Sequence, residues 1–318
     1  MGAHTTIEYC DTTVSSVMGC DGCELWNPVK KVEHCYAGQL HKLRAGLPGY
    51  ADDFNVPKLF PGRVQKAAAL KDLRGTERPD KPWLNGLPRI IFFSDMGDAL
   101  SKSVPLEFLR DEVLATCQTS GRRHIWLWLT KQPQRMVKLA ELVGGWPDNV
   151  WAGTSVTSME QTGRLGHLLR VPAKVHYVSY EPALGPVDFT RWLPKTWCDH
   201  CYPGHGHDPK EHRKNCRCRC HGGLKWAIVG GESGSGARPF NPAWADDIVT
   251  MGRQTGVAVF VKQMGSNPTL RNGSGWGTIR DRKGGREMEW PAQLRVRQMP
   301  AEAIQYGTKG EVQCSLLG

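Results

Sequence analysis

The chain has 318 residues, which is enough for one large α/β domain or two small ones. Its hydrophobic content of 40% supports a real core and excludes an intrinsically disordered protein. Its longest apolar runs, such as 89–94 and 257–261, are strand-sized, which argues against a membrane span. Residues 1–13 include two acidic residues and no apolar core, so we expect no signal peptide and a cytoplasmic location.

The net charge of +10 is concentrated in two stretches of the chain. Residues 195–225 and residues 271–297 each carry seven basic and three acidic residues, a net charge of +4 apiece. Basic charge gathered in two appendages predicts an anionic macromolecular partner, in first place a nucleic acid. A solvated basic loop explains the charge alone equally well.

Apolar strands that end in polar residues recur along the chain. After a first β-branched strand within residues 5–17, continuous apolar runs occupy residues 89–94, 124–129, 150–152, 175–178, 226–229 and 257–261. Helical patterns accompany them at residues 36–44, 63–70, 105–117, 133–142, 159–169 and 242–255. This alternation predicts a parallel α/β sheet. We favour a complete or partial (β/α) barrel, with an open doubly wound sheet as the alternative.

Ionisable side chains follow several of these strands closely. Asp98, Glu181 and Lys262 stand near the predicted carboxyl ends, which is where parallel sheets bind their ligands. We therefore expect these three residues to face the substrate in catalytic roles. The alternative is structural pairing among them, for instance of Glu181 with Lys262.

Three of the eleven cysteines lie close together near the start of the chain, at Cys20, Cys23 and Cys35. In a cytosolic protein such a group favours metal binding over disulfides. Soft thiolates select zinc or the iron of an iron–sulfur cluster. Zinc needs a fourth ligand, which His34 offers, whereas a cluster with three protein ligands leaves one iron open for a cofactor or substrate.

A second cysteine group interrupts the chain between two predicted strands, within residues 195–225. Its members are Cys198, Cys201, Cys216, Cys218 and Cys220. Because so short a polar stretch cannot bury a core, we expect a lobe stapled by Zn²⁺. The expected ligands are Cys198, Cys201, Cys216 and one of the other two, and a second iron–sulfur cluster is the rival interpretation. The predicted organisation is a domain over 1–300, this inserted lobe and a flexible tail at 301–318.

Short motifs at the predicted strand ends carry a resemblance to a known family. They begin with Thr6–Thr13 and the cysteine loop, and continue with Ser94-Asp95-Met96-Gly97-Asp98, Leu129-Thr130-Lys131, Gly153-Thr154-Ser155-Val156, Ser179-Tyr180-Glu181-Pro182, Gly230-Gly231-Glu232-Ser233-Gly234 and Lys262-Gln263. The ordered set resembles the phage and bacterial three-cysteine family of radical-SAM-like proteins, which is related to spore photoproduct lyase. The resemblance covers roughly residues 5–300. The cysteine spacing, C-x2-C-x11-C, departs from the family's usual C-x6-C-x2-C.

The resemblance implies a barrel of the radical SAM type and its cofactors. Cys20, Cys23 and Cys35 would hold a [4Fe–4S] cluster whose open iron binds S-adenosyl-L-methionine, and one electron would then generate a 5′-deoxyadenosyl radical. The residues implied in cofactor binding are Thr130, Lys131, Ser155, Gly230, Gly231 and Glu232. The two glycines would let the backbone approach the methionine moiety and Glu232 would take its ammonium group, although a tight strand-to-helix turn also explains them.

The implied function is a radical step on a nucleic-acid base. An isomerase or rearrangement step in phage DNA hypermodification fits, with DNA and an external electron donor as partners and the host cytoplasm as location if the chain is phage-encoded. The enzymatic alternative is a peptide or small-molecule substrate. The non-enzymatic alternative is a zinc-stapled nucleic-acid-binding protein.

Overall fold

The computed structural model describes residues 5–194, 222–269 and 279–308. The chain divides into two compact units. Unit 1 comprises the described parts of Met1–Ser155, Val171–Val175 and Ala301–Gly318. Unit 2 comprises the described parts of Val156–Arg170 and His176–Pro300.

The described residues contain eleven strands. They are β1 (Thr12–Val14), β2 (Val17–Met18), β3 (Trp26–Asn27), β4 (Val32–Glu33), β5 (Lys58–Leu59), β6 (Ile90–Phe93), β7 (Ile125–Thr130), β8 (Val150–Ser155), β9 (His176–Tyr180), β10 (Trp226–Gly230) and β11 (Ala258–Gln263). Seven of them form one sheet in the order β1-β6-β7-β8-β9-β10-β11. Two small antiparallel pairs, β2 with β5 and β3 with β4, lie outside it.

The large sheet is parallel and buried. In unit 1, β1 pairs with β6 and β6 with β7, so that Phe93 lies opposite both Val14 and Trp128. In unit 2, β10 pairs in parallel with β9 and β11. All residues of β6, β9 and β10 are buried, as expected for continuous apolar runs covered on both faces. The predicted parallel α/β sheet is confirmed, whereas its radical SAM type stays a prediction.

The helices follow the predicted order. They are α1 (Tyr36–Lys42), α2 (Arg63–Ala68), α3 (Leu106–Phe108), α4 (Ala115–Gln118), α5 (Pro133–Leu142), α6 (Gly163–Leu168), α7 (Pro242–Thr255) and α8 (Ala301–Thr308). Single 3₁₀ turns occur at Pro82–Leu84, Ser120–Arg123, Met159–Gln161, Thr190–Trp192, Glu287–Glu289 and Ala292–Leu294. The predicted helix at 105–117 is divided, because a π-helical turn, Leu109–Leu114, separates α3 from α4.

The segment of residues 46–88, between α1 and β6, holds the N-terminal segment in place. The Lys81 ammonium donates hydrogen bonds to the carbonyl oxygens of Thr5, Ile7 and Cys10 at 2.8, 2.7 and 2.6 Å. The Arg78 guanidinium pairs with Asp11 at 2.7 Å, and both side chains are buried. These contacts fix the chain just before β1 and the cysteine loop.

The proposed zinc ligands Cys198, Cys201, Cys216, Cys218 and Cys220 lie outside the described residues, so the inserted lobe stays a prediction. Within the predicted flexible tail at 301–318, the described residues 301–308 form α8, in which Ala303 and Tyr306 are buried. Among the described residues, no helix combines the length and the apolar character needed to cross a membrane.

Candidate functional site

The three N-terminal cysteines share one apolar environment in unit 1. Cys20, Cys23 and Cys35 are free thiols of intermediate burial. They pack against a buried cluster made of Met18, Trp26, Ala37, Ala51, Phe54 and Met96. The prediction that these cysteines act as one group is therefore compatible with their placement.

Two glycines bring the cysteine loop against the end of β6. A Cβ atom on Gly97 would lie 2.2 Å from the carbonyl oxygen of Gly19, so only glycine fits there. Gly19 has φ +98°, a conformation that side chains with a Cβ rarely adopt. The backbone N–H of Asp98 donates to the Gly19 carbonyl at 3.3 Å. Cys20 is thereby held next to the strand-end residue Asp98.

Asp21 fastens the other side of the loop. Its backbone N–H donates to Ser101 Oγ at 3.3 Å, and its carboxylate accepts a hydrogen bond from Ser103 Oγ at 2.9 Å. The backbone N–H of Lys102 donates to the second carboxylate oxygen. Asp21 was not among the predicted site residues, although it lies inside the C-x2-C motif.

Trp26 is the packing centre of the cysteine region. Its indole Nε1–H donates to Asn55 Oδ1 at 2.8 Å, and its ring lies against Gly38 of α1, where a Cβ atom would come within 2.4 Å. The backbone N–H of Cys23 donates to the Trp26 carbonyl at 2.7 Å. Since Cys35 immediately precedes α1, this packing holds both Cys23 and Cys35 against the same buried cluster.

Asp98 links the ends of β6 and β7. Its carboxylate accepts the Thr130 hydroxyl at 2.8 and 3.0 Å, the Leu100 N–H at 3.0 Å and the Lys131 N–H at 2.8 Å. The side chain is buried, and four interactions occupy its two oxygens. The chain itself therefore uses the hydrogen-bonding capacity of both Asp98 and the Thr130 hydroxyl, two residues predicted to contact substrate or cofactor.

The thiols lie in a setting that disfavours their charged form when no cation is bound. Burial, and next the Asp98 carboxylate, raise the pKa of Cys20 to about 12, while Lys131 opposes the rise. Burial likewise raises the pKa of Cys23, and Lys131 again opposes it. A metal ion or cluster is the kind of partner that stabilises such thiolates.

The three thiols are chemically suited to bind a metal ion or an iron–sulfur cluster as thiolates. The three thiols pack against one apolar cluster, and the charge of Lys131 acts on two of them. None of the three is used in a disulfide. Within residues 5–194, 222–269 and 279–308, no three His, Cys, Asp or Glu side chains already converge as a metal site. His34, the alternative zinc ligand, is exposed.

Ser155 ends β8 in unit 1 and is buried. The neighbouring Thr154 hydroxyl donates to the Thr130 carbonyl at 2.7 Å, which ties the end of β8 to that of β7. Ser155 thus lies at the carboxyl edge of the unit 1 strands. Its predicted contact with the cofactor stays a prediction.

In unit 2, the strand-end residues Glu181 and Lys262 form an ion pair. Both side chains are only partly accessible, with exposed fractions of 15% and 16%. The register of β10 and β11 skips Lys262, because Val229 pairs with Val261 and Gly230 with Gln263. Such a bulge turns a side chain in a new direction. The pairing that the sequence analysis gave as an alternative is therefore present, and it lies at the carboxyl edge of the sheet.

The glycine pair and Glu232 are engaged within unit 2. A Cβ atom on Gly231 would lie 2.4 Å from the Met264 carbonyl oxygen, so the chain's own backbone occupies this close approach. A Cβ atom on Gly230 would lie 3.3 Å from the Gln263 carbonyl oxygen. Arg238 binds both carboxylate oxygens of Glu232, at 2.8 and 2.7 Å. These contacts match the tight-turn explanation of the motif.

Met96 is a further residue near the cysteines, and Asp95 directly precedes it; neither was among the predicted site residues. Met96 packs in the cysteine cluster and accepts the Tyr36 hydroxyl at its sulfur, at 3.8 Å. Asp95 accepts the Ser15 hydroxyl at 2.6 Å. Both lie within the Ser94–Asp98 motif, so the motif contained the signal, but the motif alone does not tell which of its members approach the thiols.

Residues 4–299 match the family described as Protein of unknown function (DUF5131), and the chain belongs to this family. No curated protein and no solved structure matches the chain.

Proposed function

We propose that this member of the DUF5131 family is a radical S-adenosylmethionine enzyme that acts on a nucleic-acid base. The observation that carries the proposal is that three free thiols of unit 1 pack against one buried cluster, and that their loop lies against the carboxyl end of β6. Ligands of parallel α/β sheets bind at this edge. Three thiolates are also the donor set that leaves one iron of a cluster open for a cofactor.

Cys20, Cys23 and Cys35 would hold a [4Fe–4S] cluster, and S-adenosyl-L-methionine would bind beside it. When bound, these groups supply the one-electron chemistry that generates a 5′-deoxyadenosyl radical. The chain's own part is to bind, orient and shield the reactants. Gly19 and Gly97 set the position of Cys20, and Trp26 sets the positions of Cys23 and Cys35.

Lys131 supplies positive charge beside the thiols. It is among the groups whose field acts on both Cys20 and Cys23, and it opposes the cost of forming their thiolates. Asp98 holds the backbone N–H of Lys131 at 2.8 Å. We therefore assign Lys131 to charge compensation at the thiolates and Asp98 to positioning.

The methionine ammonium of the cofactor needs a carboxylate. Glu232, the residue that the sequence analysis assigned to it, already has both oxygens bound by Arg238. Asp95 precedes Met96 of the cysteine cluster, and Ser15 binds its Oδ1 at 2.6 Å. We therefore assign the ammonium contact to Asp95 in unit 1.

The ion pair of Glu181 and Lys262 is the group that we assign to the substrate in unit 2. Its ammonium and carboxylate are partly accessible at a sheet edge, where they can donate to and accept from a polar base. An anionic nucleic acid, as the carrier of this base, fits the net charge of +10 of the chain. An isomerase or rearrangement step remains the proposed outcome. An external electron donor completes the proposal.

Anaerobic reconstitution with iron and sulfide tests the proposal. The wild-type protein is expected to turn brown, to contain iron and sulfide, and to form 5′-deoxyadenosine from S-adenosyl-L-methionine and a reductant. Alanine at Cys20, Cys23 or Cys35 should abolish all three results together. The matched control is Cys117→Ala, which removes a fully buried free thiol of α4 and should leave them unchanged.

Two results would contradict the proposal. A colourless wild-type protein that binds zinc at these cysteines would favour the non-catalytic, zinc-stapled nucleic-acid-binding protein. A single cysteine variant that keeps both its colour and its 5′-deoxyadenosine formation would refute the ligand assignment.

A further inference from the structure

A turn rich in basic residues docks on the end of β11 in unit 2. We call residues 280–286 the basic turn. The backbone N–H of Met264 donates to the Gly284 carbonyl at 2.8 Å. Gly284 has φ +62°, and a Cβ atom there would lie 2.5 Å from the Gly265 carbonyl oxygen. The basic turn is therefore fixed against the strand end by contacts that only glycine allows.

The acidic residues of this region are satisfied locally. Glu289 accepts the backbone N–H groups of Arg280 and Asp281 at 2.7 and 3.0 Å. Asp281 accepts the backbone N–H of Gly285 at 2.5 Å. Glu287 pairs with the Arg297 guanidinium at 3.4 Å. Local partners thus take up these negative charges.

The basic residues divide into two groups. Arg295 donates to the carbonyl oxygens of Trp290 and Met288 at 2.8 and 3.0 Å. Arg297 lies over the rings of Phe260 and Trp290, with its guanidinium carbon 5.8 and 5.5 Å from their centroids. These two arginines stabilise the fold.

The second group is exposed and consists of Arg280, Arg282, Lys283 and Arg286, of which Arg286 pairs with Glu289 at 3.1 Å. Arg282 and Lys283 lie at the tip of the basic turn and are adjacent in sequence, so together they present two positive charges to solvent.

The basic turn also contacts the loop that follows β10. Ser266 Oγ donates to the Arg282 carbonyl at 2.6 Å and accepts the Gly234 N–H at 2.9 Å. Ser233 and Ser235, on either side of Gly234, are exposed. Lys262, only two residues before Met264, carries the ion pair with Glu181. Exposed cations and hydroxyls therefore lie beside the sheet edge that holds this pair.

We propose that Arg282 and Lys283 contact the phosphates of a single-stranded nucleic acid whose backbone runs past the carboxyl end of β11. Exposed cations on a turn that backbone contacts hold in place suit phosphate contacts, which position a strand without reading its sequence. A single strand or a flipped-out base avoids the cost of unstacking within a duplex. This inference rests on the proposed function only for the choice of nucleic acid.

The test is titration of a fluorescent single-stranded DNA oligonucleotide at several salt concentrations. The variant is the double substitution Arg282→Gln with Lys283→Gln. The matched control is Lys30→Gln with Lys31→Gln, which removes the same charge from an exposed turn in unit 1. Loss of two phosphate contacts should lower the slope of log K against log salt by about 1.4, and the affinity roughly tenfold at moderate salt, whereas the control should behave as wild type.

Three results would overturn the inference. They are an unchanged slope in the Arg282 and Lys283 variant, an equal loss in the control, and equally tight binding of poly-glutamate through the same two residues. The titration needs no cluster, so the same protein can be assayed separately for iron and 5′-deoxyadenosine. Loss of binding with intact cofactor cleavage, or the reverse, therefore distinguishes failure of this inference from failure of the proposed function.

Discussion

The carboxylate of Asp98 accepts a hydrogen bond from the backbone N–H of Lys131 at 2.8 Å, while the backbone N–H of Asp98 donates to the Gly19 carbonyl at 3.3 Å. One residue thus connects the cysteine loop to the strand end that carries Lys131. The hydrogen bonds of Asp98 therefore position the thiols relative to the lysine charge. This relationship can be tested without any assay of the proposed reaction.

Replacing Asp98 by Asn should weaken this link. The amide has one acceptor oxygen for the donors of Thr130, Leu100 and Lys131, and its NH₂ group faces N–H donors. We expect a loss of about 1–3 kcal/mol in the free energy of unfolding, which urea denaturation of the purified variant measures.

The control for Asp98→Asn is Asp52→Asn. Asp52 pairs with Lys58 at 2.9 Å, but its side chain is 83% exposed. Solvent screens an exposed pair of this kind, so it contributes little to the free energy of unfolding. Equal stability losses in the two variants would contradict the linking role of Asp98.

Gly97→Ala should disrupt the cysteine loop more strongly than the small size of the added methyl group suggests. The added methyl group would lie 2.2 Å from the Gly19 carbonyl oxygen, so the loop must move away from β6. We expect a loss of more than about 2 kcal/mol in unfolding free energy, together with faster alkylation of Cys20 in the native protein. Denaturation and mass spectrometry of alkylated peptides would show this.

Gly166→Ala is the control, and we expect it to raise the free energy of unfolding instead of lowering it. Gly166 lies within α6, and a Cβ atom there meets nothing within 4 Å. Alanine should stabilise the helix by up to about 1 kcal/mol. Destabilisation by both alanines would mean that the effect of Gly97→Ala does not come from its contact with Gly19.

The helix bounds that sequence predicts best are those with strong local signals. The structure has α5 at Pro133–Leu142 and α7 at Pro242–Thr255, the predicted ranges. Proline is favourable in the first turn of a helix, and Gly256, with φ +74°, ends α7. Apolar runs likewise located the buried strands, because burial on both faces demands such runs.

The partners of the polar residues were harder to predict. The bond from Thr130 to Asp98 spans 32 positions and was not predicted. The pair of Lys262 with Glu181 spans 81 positions, and the sequence indicated it only as the alternative to a substrate role. Such pairs depend on the order of strands in the sheet, which local sequence does not encode. The sequence likewise did not indicate that Arg238 binds the Glu232 carboxylate, because the loop that carries Arg238 has no periodic signal.

Lys81→Met should destabilise the start of the chain. The Lys81 ammonium donates to three carbonyl oxygens of residues 5–10, and methionine keeps the length of the side chain but donates to none of them. Because unpaired buried carbonyls are costly, we expect a loss of about 2–3 kcal/mol and earlier proteolysis before β1. Lys66→Met, at an exposed position of α2, is the control and should change stability by less than about 0.5 kcal/mol.

The last prediction concerns pH and His124, a buried residue that precedes β7. Its Nε2 contacts the Ala68 carbonyl at 3.2 Å, and its Nδ1 has no hydrogen-bond partner among the described residues. Burial lowers the pKa of His124 to about 4, so the folded state keeps the ring neutral where the unfolded chain, with an ordinary pKa near 6.5, binds a proton. The contribution of His124 to stability is therefore complete above about pH 6.5 and declines as the pH falls towards about 4, by about 3 kcal/mol in all. His124→Gln should remove this part of the pH dependence, whereas Gln at the exposed His167 should not. Urea midpoints of the three proteins between pH 7 and pH 4 measure the difference, and parallel curves for wild type and His124→Gln would show that His124 is not the titrating group.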